Sequence, residues 1–316
     1  MYPSAIFVHA NDSQSLMMII FQRKIIYMGY VPLGARTEEL GRDIRPSSNR
    51  IMCDEVQING ERGARLFGIY LRREELNTPA RQPKTVMIYF QGNAGNPLGR
   101  IPVFERLLLN CPPEIGILAV APRSYWKSTP RTATERGLLS DYHHALSYAI
   151  NRFPESKIIL YGHSLGGAIA VCLAARLKAQ DFPTVKGLVL ENPFASIPGM
   201  VKALYPQRWL PYHYLSSLVL DKWDALSAMQ NPQQDSLLCN LSNNMMVMLS
   251  EKDELVPTSM GRSLLDASKN KVGNDLANQH KRIIVVRNAL HEDAWTKEVW
   301  LVEMRRYLDL MNCTQY

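Results

Sequence analysis

Short apolar runs alternate with longer stretches in which apolar residues return every three or four positions, from Thr85 almost to the end of the chain. The short runs are Val86–Phe90, Ile115–Val120, Lys157–Tyr161, Leu188–Leu190, Met245–Leu249 and Arg282–Val286, and each predicts a strand. Helical spacing falls near Ile101–Leu109, from Thr134 to Phe153, from Gly162 to about Gln180, over Thr258–Ser268 and over Trp295–Leu310. In the second of these, Leu138, Tyr142, Leu146, Ala149 and Phe153 share one face. Apolar runs without polar alternation suit strands buried on both faces, so the rhythm predicts a mostly parallel sheet with helices on both sides. Ahead of it, Ile51–Asn59 and Leu66–Leu71 are strand-like, and the Gly60-Glu-Arg-Gly63 turn between them predicts a hairpin.

Two segments break the rhythm. Residues 194–235, after Glu191-Asn-Pro193, are rich in Pro, Tyr, Trp and Leu, and an interruption of that length is usually functional. They are expected to form a helical cap over an α/β domain spanning 49–316. Residues 1–48 read as an N-terminal arm. There, Leu16–Phe21 and Ile25–Val31 are apolar, with Gln22-Arg-Lys24 between them. Neither piece approaches the roughly 20 residues a spanning helix needs, and the first ten residues lack the pattern of a secretory signal. A cytoplasmic chain, or one peripheral on an intracellular membrane and not secreted, is the expectation.

Composition narrows the partners. The 316 residues suffice for a large core, and 46% hydrophobic with 21% charged residues is ordinary for a globular chain. The net charge of +7 is spread thinly, with no basic run interleaved with aromatics. Nucleic acid is therefore excluded as a partner, while attraction to an anionic membrane surface stays open. Five cysteines, odd in number and without a C-x-x-C, fit free thiols. No metal-ligand spacing stands out, and no metal or cofactor is expected.

Gly162-His-Ser-Leu-Gly166 lies between a predicted strand and a predicted helix. A serine on so tight a turn takes a strained backbone, and glycines around it let the chain pass. This lifts the Ser164 hydroxyl over the sheet edge as a nucleophile, but a hydroxyl needs a base, and the base an orienting acid. Of seven histidines, only His291 occupies a late strand-end loop: His163 is in the turn itself, His143 and His144 lie mid-helix, His213 is in the insertion, and His9 and His280 follow no suitable strand. Asp253 directly follows Met245–Leu249 and fits the acid best, with Glu251, Glu254 and Glu191 as neighbouring rivals. Oxyanion donors are expected from the backbone N–H of Leu165 and, in Gln91-Gly-Asn-Ala-Gly-Asn96, of Asn93.

With these motifs in this order, together with Ser250-Glu-Lys-Asp-Glu-Leu-Val-Pro257 and Leu290-His-Glu-Asp293, the chain resembles the α/β-hydrolase superfamily. Within it, the chain looks like the bud-emergence-type branch, fungal relatives of the animal α/β-hydrolase-domain proteins. Glu191-Asn-Pro-Phe-Ala-Ser-Ile-Pro198 and Asp221-Lys-Trp-Asp-Ala225 resemble that branch's cap, and Gln22-Arg-Lys-Ile-Ile-Tyr-Met28 the segment after its membrane anchor, a helix expected to be absent or eroded here. The resemblance implies a Ser164–His291–Asp253 triad. Three departures stand out. Gln91 replaces a histidine. Arg123-Ser-Tyr-Trp-Lys-Ser-Thr-Pro130 replaces a glycine-rich Arg-Gly-Tyr-Gly-x-Ser-x-Gly, where Trp126 is expected to narrow the site. Leu290 replaces a glycine. The expected activity is a serine hydrolase cleaving a small-molecule carboxylic ester or thioester, with a lipophilic acyl group suggested by the aromatic insertion. The rivals are an acyltransferase or cyclising enzyme on the same triad, and a catalytically silent binding protein of the same fold.

Overall fold

The computed structural model describes residues 16–42, 44–76, 82–207, 211–269 and 282–313. Eight strands form one sheet in the order β1-β2-β4-β3-β5-β6-β7-β8. They are β1 (Ile51–Asn59), β2 (Arg65–Arg73), β3 (Thr85–Phe90), β4 (Ile115–Ala121), β5 (Lys157–His163), β6 (Val185–Glu191), β7 (Met245–Ser250) and β8 (Arg282–Val286). β1 and β2 form the antiparallel hairpin, β2 pairs antiparallel with β4, and every other pairing is parallel. The reversal between β4 and β3 leaves β3 and β5 side by side at the centre. Every residue of β3 and β4 is buried, which is why these strands show no alternation. Each large aliphatic side chain there contributes about 1.5–3 kcal/mol by leaving water.

The helices are α1 (residues 16–26), α2 (Ile101–Asn110), α3 (Glu135–Arg152), α4 (Leu165–Arg176), α5 (Ile197–Leu204), α6 (Pro211–Tyr214), α7 (Ala225–Gln230), α8 (Leu237–Leu241), α9 (Thr258–Lys269) and α10 (Glu298–Cys313). α3 begins where Thr134 Oγ1 accepts from Gly137 N at 3.0 Å, one of the orphan amides that a helix start exposes. α4 has no polar face: Leu165 to Ala174 are all buried, since β5, α3, α7 and α8 enclose it. It stops at Arg176, short of the predicted Gln180. Leu177 turns extended, and its carbonyl accepts instead from Leu237 N at 2.7 Å. The last helix also starts later than predicted. Trp295 sits in a 3-10 turn (Ala294–Thr296), and Lys297 is extended before α10 begins.

Between β6 and β7 the chain carries α5 to α8. Of these, α7 and α8 lie against α4 and cover the sheet, whereas α5 packs on α6 and the 3-10 turn Leu215–Leu218. α1 runs beside that turn. Gln22 Oε1 accepts from Leu220 N at 2.8 Å, Arg23 Nε pairs with Asp221 Oδ2 at 2.9 Å, and the buried Tyr27 hydroxyl accepts from Trp223 Nε1 at 2.9 Å. From there the chain meets the loop after β3: Met28 N donates to Asn93 O at 2.7 Å, and Gly95 N to Val31 O at 2.6 Å. Among the described residues no helix is long and apolar enough to cross a membrane.

Candidate active site

The sheet sets the site. β3, β5, β6, β7 and β8 run parallel, so the loops after them gather at one edge, where open α/β sheets hold their reacting groups. Ser164 sits between β5 and α4 with φ +54° and ψ −119°, a conformation that costs about 1–3 kcal/mol and needs enforcement. The enforcement is visible at Gly166, where an added Cβ would lie 1.9 Å from Phe90 O, and at Gly162, where it would lie 2.5 Å from Gly166 O. No larger residue fits either place. Ser164 N donates to Glu191 O at 2.9 Å, and Ser164 is nearly buried.

His291 is 2% exposed, and its Nδ1 lies 2.8 Å from Asp253 Oδ2. The other carboxylate oxygen, Oδ1, accepts from Leu255 N at 2.9 Å and Val256 N at 2.7 Å, which fixes the acid. A carboxylate on Nδ1 requires a proton there and leaves Nε2 as the basic nitrogen. Among the described residues no hydrogen bond joins Ser164 Oγ to this imidazole. His163, the residue before Ser164, has its ring centroid 5.0 Å from that of His291. The rival acids have other partners. Glu254 accepts from His291 N at 3.0 Å and Glu251 from Asn288 N at 2.9 Å. Glu191, fully buried, accepts from Tyr161 OH and from Trp300 Nε1, and burial raises its pKa.

Leu165 opens α4, so its N–H is one of the amides a helix start leaves without an internal partner. The Asn93 loop lies alongside: an added Cβ on Gly92 would be 3.9 Å from Ser164 Cβ. Asn93 O accepts from Met28 N and from Tyr125 OH at 2.9 Å, which pins the loop from behind. Gln91 staples it from within, its Nε2 donating to Gly95 O at 2.9 Å and Ala94 O at 3.3 Å.

The other departures also find places. Ser124 and Trp126 stand where glycines were expected, and both keep positive φ, +67° and +42°. Trp126 does not narrow the site. It is fully buried under the N-terminal arm, with Nε1 donating to Glu38 O at 2.9 Å, because arm residues close over that loop and remove the ring from any cleft. Leu290 has no positive φ, so glycine is not required there, and its N–H donates to Asp293 Oδ1 at 2.6 Å.

Sequence reasoning missed the clamp behind His291. Asn192, at the end of β6 with φ +47°, donates through Nδ2 to His291 O at 2.8 Å and to Ser250 Oγ at 2.9 Å, and accepts from Ser250 N at 2.7 Å. His163 adds a second bond to the same carbonyl, Nε2 to O at 3.2 Å, while its Nδ1 faces Arg100 at 2.9 Å. Burial above all, then the charges of Arg100 and His291, hold the His163 pKa well below the usual imidazole value. It is therefore neutral, accepting from Arg100 and donating to His291 O. An asparagine directly after a strand was the available signal, since asparagine tolerates positive φ; nothing in the local sequence points to Arg100.

His163, His291 and Glu292 bring potential metal-ligand atoms within 4.8 Å of one another. The donor set does not suit a cation: Arg100 already pairs with Glu292 at 2.5 Å and with His163 Nδ1, so a fixed positive charge occupies the position. His9 and His280 lie outside the described residues.

A family model described as Hydrolase_4, serine aminopeptidase S33, matches residues 131–256, a stretch that holds Ser164 and Asp253 and ends before His291. The chain is 27% identical over 243 residues to Protein bem46 of Schizosaccharomyces pombe, covering 75% of this chain and 71% of that protein. It is 24% identical to the α/β hydrolase domain-containing protein WAV2 of Arabidopsis thaliana, covering 76% of this chain and 73% of that protein. Against lysophosphatidylserine lipase ABHD12 of Danio rerio the identity is 28%, over 57% of this chain and 46% of that protein. Among solved structures, an esterase of Pyrococcus furiosus superposes with a TM-score of 0.59 at 18% identity, covering 82% of this chain and 91% of that one. Carboxyl esterase 2 of Tuber melanosporum does so with a TM-score of 0.59 at 12% identity, covering 90% and 91%. At such identities the structures speak to the fold alone.

Proposed function

We propose that this chain, which has the α/β-hydrolase fold and is similar to Protein bem46, is a serine hydrolase that cleaves a carboxylic ester or thioester of a lipophilic acyl group. Ser164 is the nucleophile, His291 the base and Asp253 the acid that orients it. One observation carries this reading above the rest: the 2.8 Å hydrogen bond between His291 Nδ1 and the Asp253 carboxylate, which leaves Nε2 free to act as the base. Ser164 Oγ attacks the acyl carbon as Nε2 takes its proton. The N–H groups of Leu165 and Asn93 hold the negative oxygen, and one such donor is worth roughly 3 kcal/mol, above a hundredfold in rate. The tetrahedral adduct collapses, the bond to the leaving oxygen or sulfur breaks, and that atom takes the proton from His291. Water then attacks the acyl-serine with His291 again as base, returning free acid and Ser164. A Ser164–His291 hydrogen bond is expected to form when substrate arrives, as catalytic hydrogen bonds often tighten only in the liganded site.

The acyl preference is supported by the apolar residues of α5 and the turn after it. The name of the zebrafish relative makes lysophospholipids the first natural esters to test. A fluorophosphonate probe is expected to label the protein, and Ser164→Ala to abolish both labelling and hydrolysis of p-nitrophenyl esters of graded chain length. Labelling that survives the substitution, or wild-type protein inert to probe and esters alike, refutes the triad.

A further inference from the structure

Twelve of the sixteen large apolar side chains exposed among the described residues fall in two segments, 16–33 and 204–220. These segments meet. Met18, Ile19, Ile25 and Ile26 of α1 line an apolar groove with Ile197 and Val201 of α5, and Leu215, Leu218 and Val219 close it. Gln22 ties α1 to the backbone of Leu218 and Leu220. Outside the groove, Leu16, Met17, Ile20 and Phe21 of α1 remain between 38% and 60% exposed, and Leu218 and Leu220 are 52% and 64% exposed. Monomeric proteins rarely leave so much contiguous apolar side chain to water without a partner.

Charge selects the partner. The chain contains 29 acidic residues, yet none falls in 13–37 or in 192–220. Of the acids that directly follow, Asp221 is buried and paired with Arg23, Glu38 accepts from Asn96 Nδ2, and Glu39 pairs with Arg42. Lys24, Lys202 and Lys222 flank the apolar side chains and are exposed. A second copy of this surface would set lysine against lysine, whereas an anionic bilayer offers headgroups to the lysines and acyl chains to the leucines and isoleucines.

We propose that α1, α5 and the stretch Leu215–Leu220 form one surface that seats the protein on an anionic lipid bilayer. The surface adjoins the candidate site. The chain leaving α1 hydrogen-bonds to Asn93 and Gly95, and α5 follows the strand end next to Ser164, so docking brings the site to the plane where lipid esters reside. The proposal concerns binding and does not rest on hydrolysis.

The test is vesicle flotation of the full chain, with phosphatidylcholine alone and with phosphatidylcholine doped with phosphatidylserine, at low and high salt. Binding is expected on the doped vesicles and is expected to weaken with salt. The double variant Ile20→Glu with Leu220→Glu removes it. Lys24→Glu and Lys222→Glu each lower the partition coefficient about fivefold or more, as expected for a lysine near an anionic surface. All four positions are exposed, so native circular dichroism and an unchanged rate of fluorophosphonate labelling accompany the loss. Failure of the hydrolase reading leaves this experiment intact, because it scores partition alone. Absence of binding, binding indifferent to these substitutions, or a dimer by light scattering that the same double variant dissociates would overturn the proposal.

Discussion

Removing the Asn192 side chain tests whether the clamp behind His291 holds the site together. Asn192 is 1% exposed, and Asn192→Ala breaks three bonds at once: those to His291 O, Ser250 Oγ and Ser250 N. Ser250 is fully buried, so its N–H is left without a partner, at about 1–3 kcal/mol. The His291 carbonyl loses less, because His163 still donates to it at 3.2 Å. Alanine at φ +47° adds about 1–2 kcal/mol that asparagine, tolerant of this region, largely avoids. The expected loss is about 3–4 kcal/mol in urea unfolding. Asn192→Gly breaks the same three bonds without the backbone penalty, so it should be about 1 kcal/mol more stable than the alanine variant. Both variants free the His291 loop. Misplacing a reacting group by about 1 Å can cost a hundredfold, so kcat on a p-nitrophenyl ester should fall at least tenfold with a smaller change in KM. Stability within about 0.5 kcal/mol of wild type together with unchanged kcat would refute the clamp.

Two further outcomes follow from the same geometry. Gly166→Ala should yield no folded protein, read as loss of the native circular dichroism spectrum, since the new methyl meets a fixed strand carbonyl and not a side chain that can move. The depressed pKa of the neutral His163 implies that, below the unfolded imidazole value of about 6.5, the unfolded chain binds a proton that the folded one refuses. Stability should therefore fall by about 1.4 kcal/mol per pH unit as pH drops below that value. The raised pKa of Glu191 acts in the opposite sense, because the folded state takes its proton first, so the measurement is the difference between wild type and His163→Asn in urea unfolding at several pH values. Equal pH slopes for the two proteins would mean that His163 carries no such linkage.

The architecture was legible because its cause is local. A strand buried on both faces must be apolar throughout, and β3, β4, β5 and β7 are short runs of that kind between loop residues. β1 and β8 have the predicted bounds, and most other ends differ by one or two residues. The prediction for α4 overran the helix because Ala, Arg, Leu and Lys all favour helix, and only a partner 60 positions away, Leu237, draws Leu177 out of it. Residues 194–235 were expected to form one cap, but α7 within them turns back to cover α4, together with α8 beyond them, a distinction that depends on which face finds a neighbour and not on composition.

The candidate site divides along the same line. Ser164 announces itself because the glycines at 162 and 166 answer a steric demand within the turn. Asp253 and His291 follow from strand-end placement, and their mutual bond supports that rule. Asn192, His163 and Arg100 act through partners up to 192 positions distant, so no spacing reveals them. The positions 124 and 126 show how far residue type can depart while the path persists. Where a glycine would take positive φ freely, Ser124 takes it with its hydroxyl donating to Arg131 O, and Trp126 takes it with its ring locked against Glu38 O. The backbone course there is imposed by what surrounds it: Ser128 Oγ donates to Ala121 O at 2.7 Å and accepts from Phe67 N at 2.8 Å, tying the loop to β4 and β2. Loss of a glycine therefore does not imply loss of the loop, provided that side-chain hydrogen bonds and burial offset the 1–2 kcal/mol or so that each left-handed residue costs.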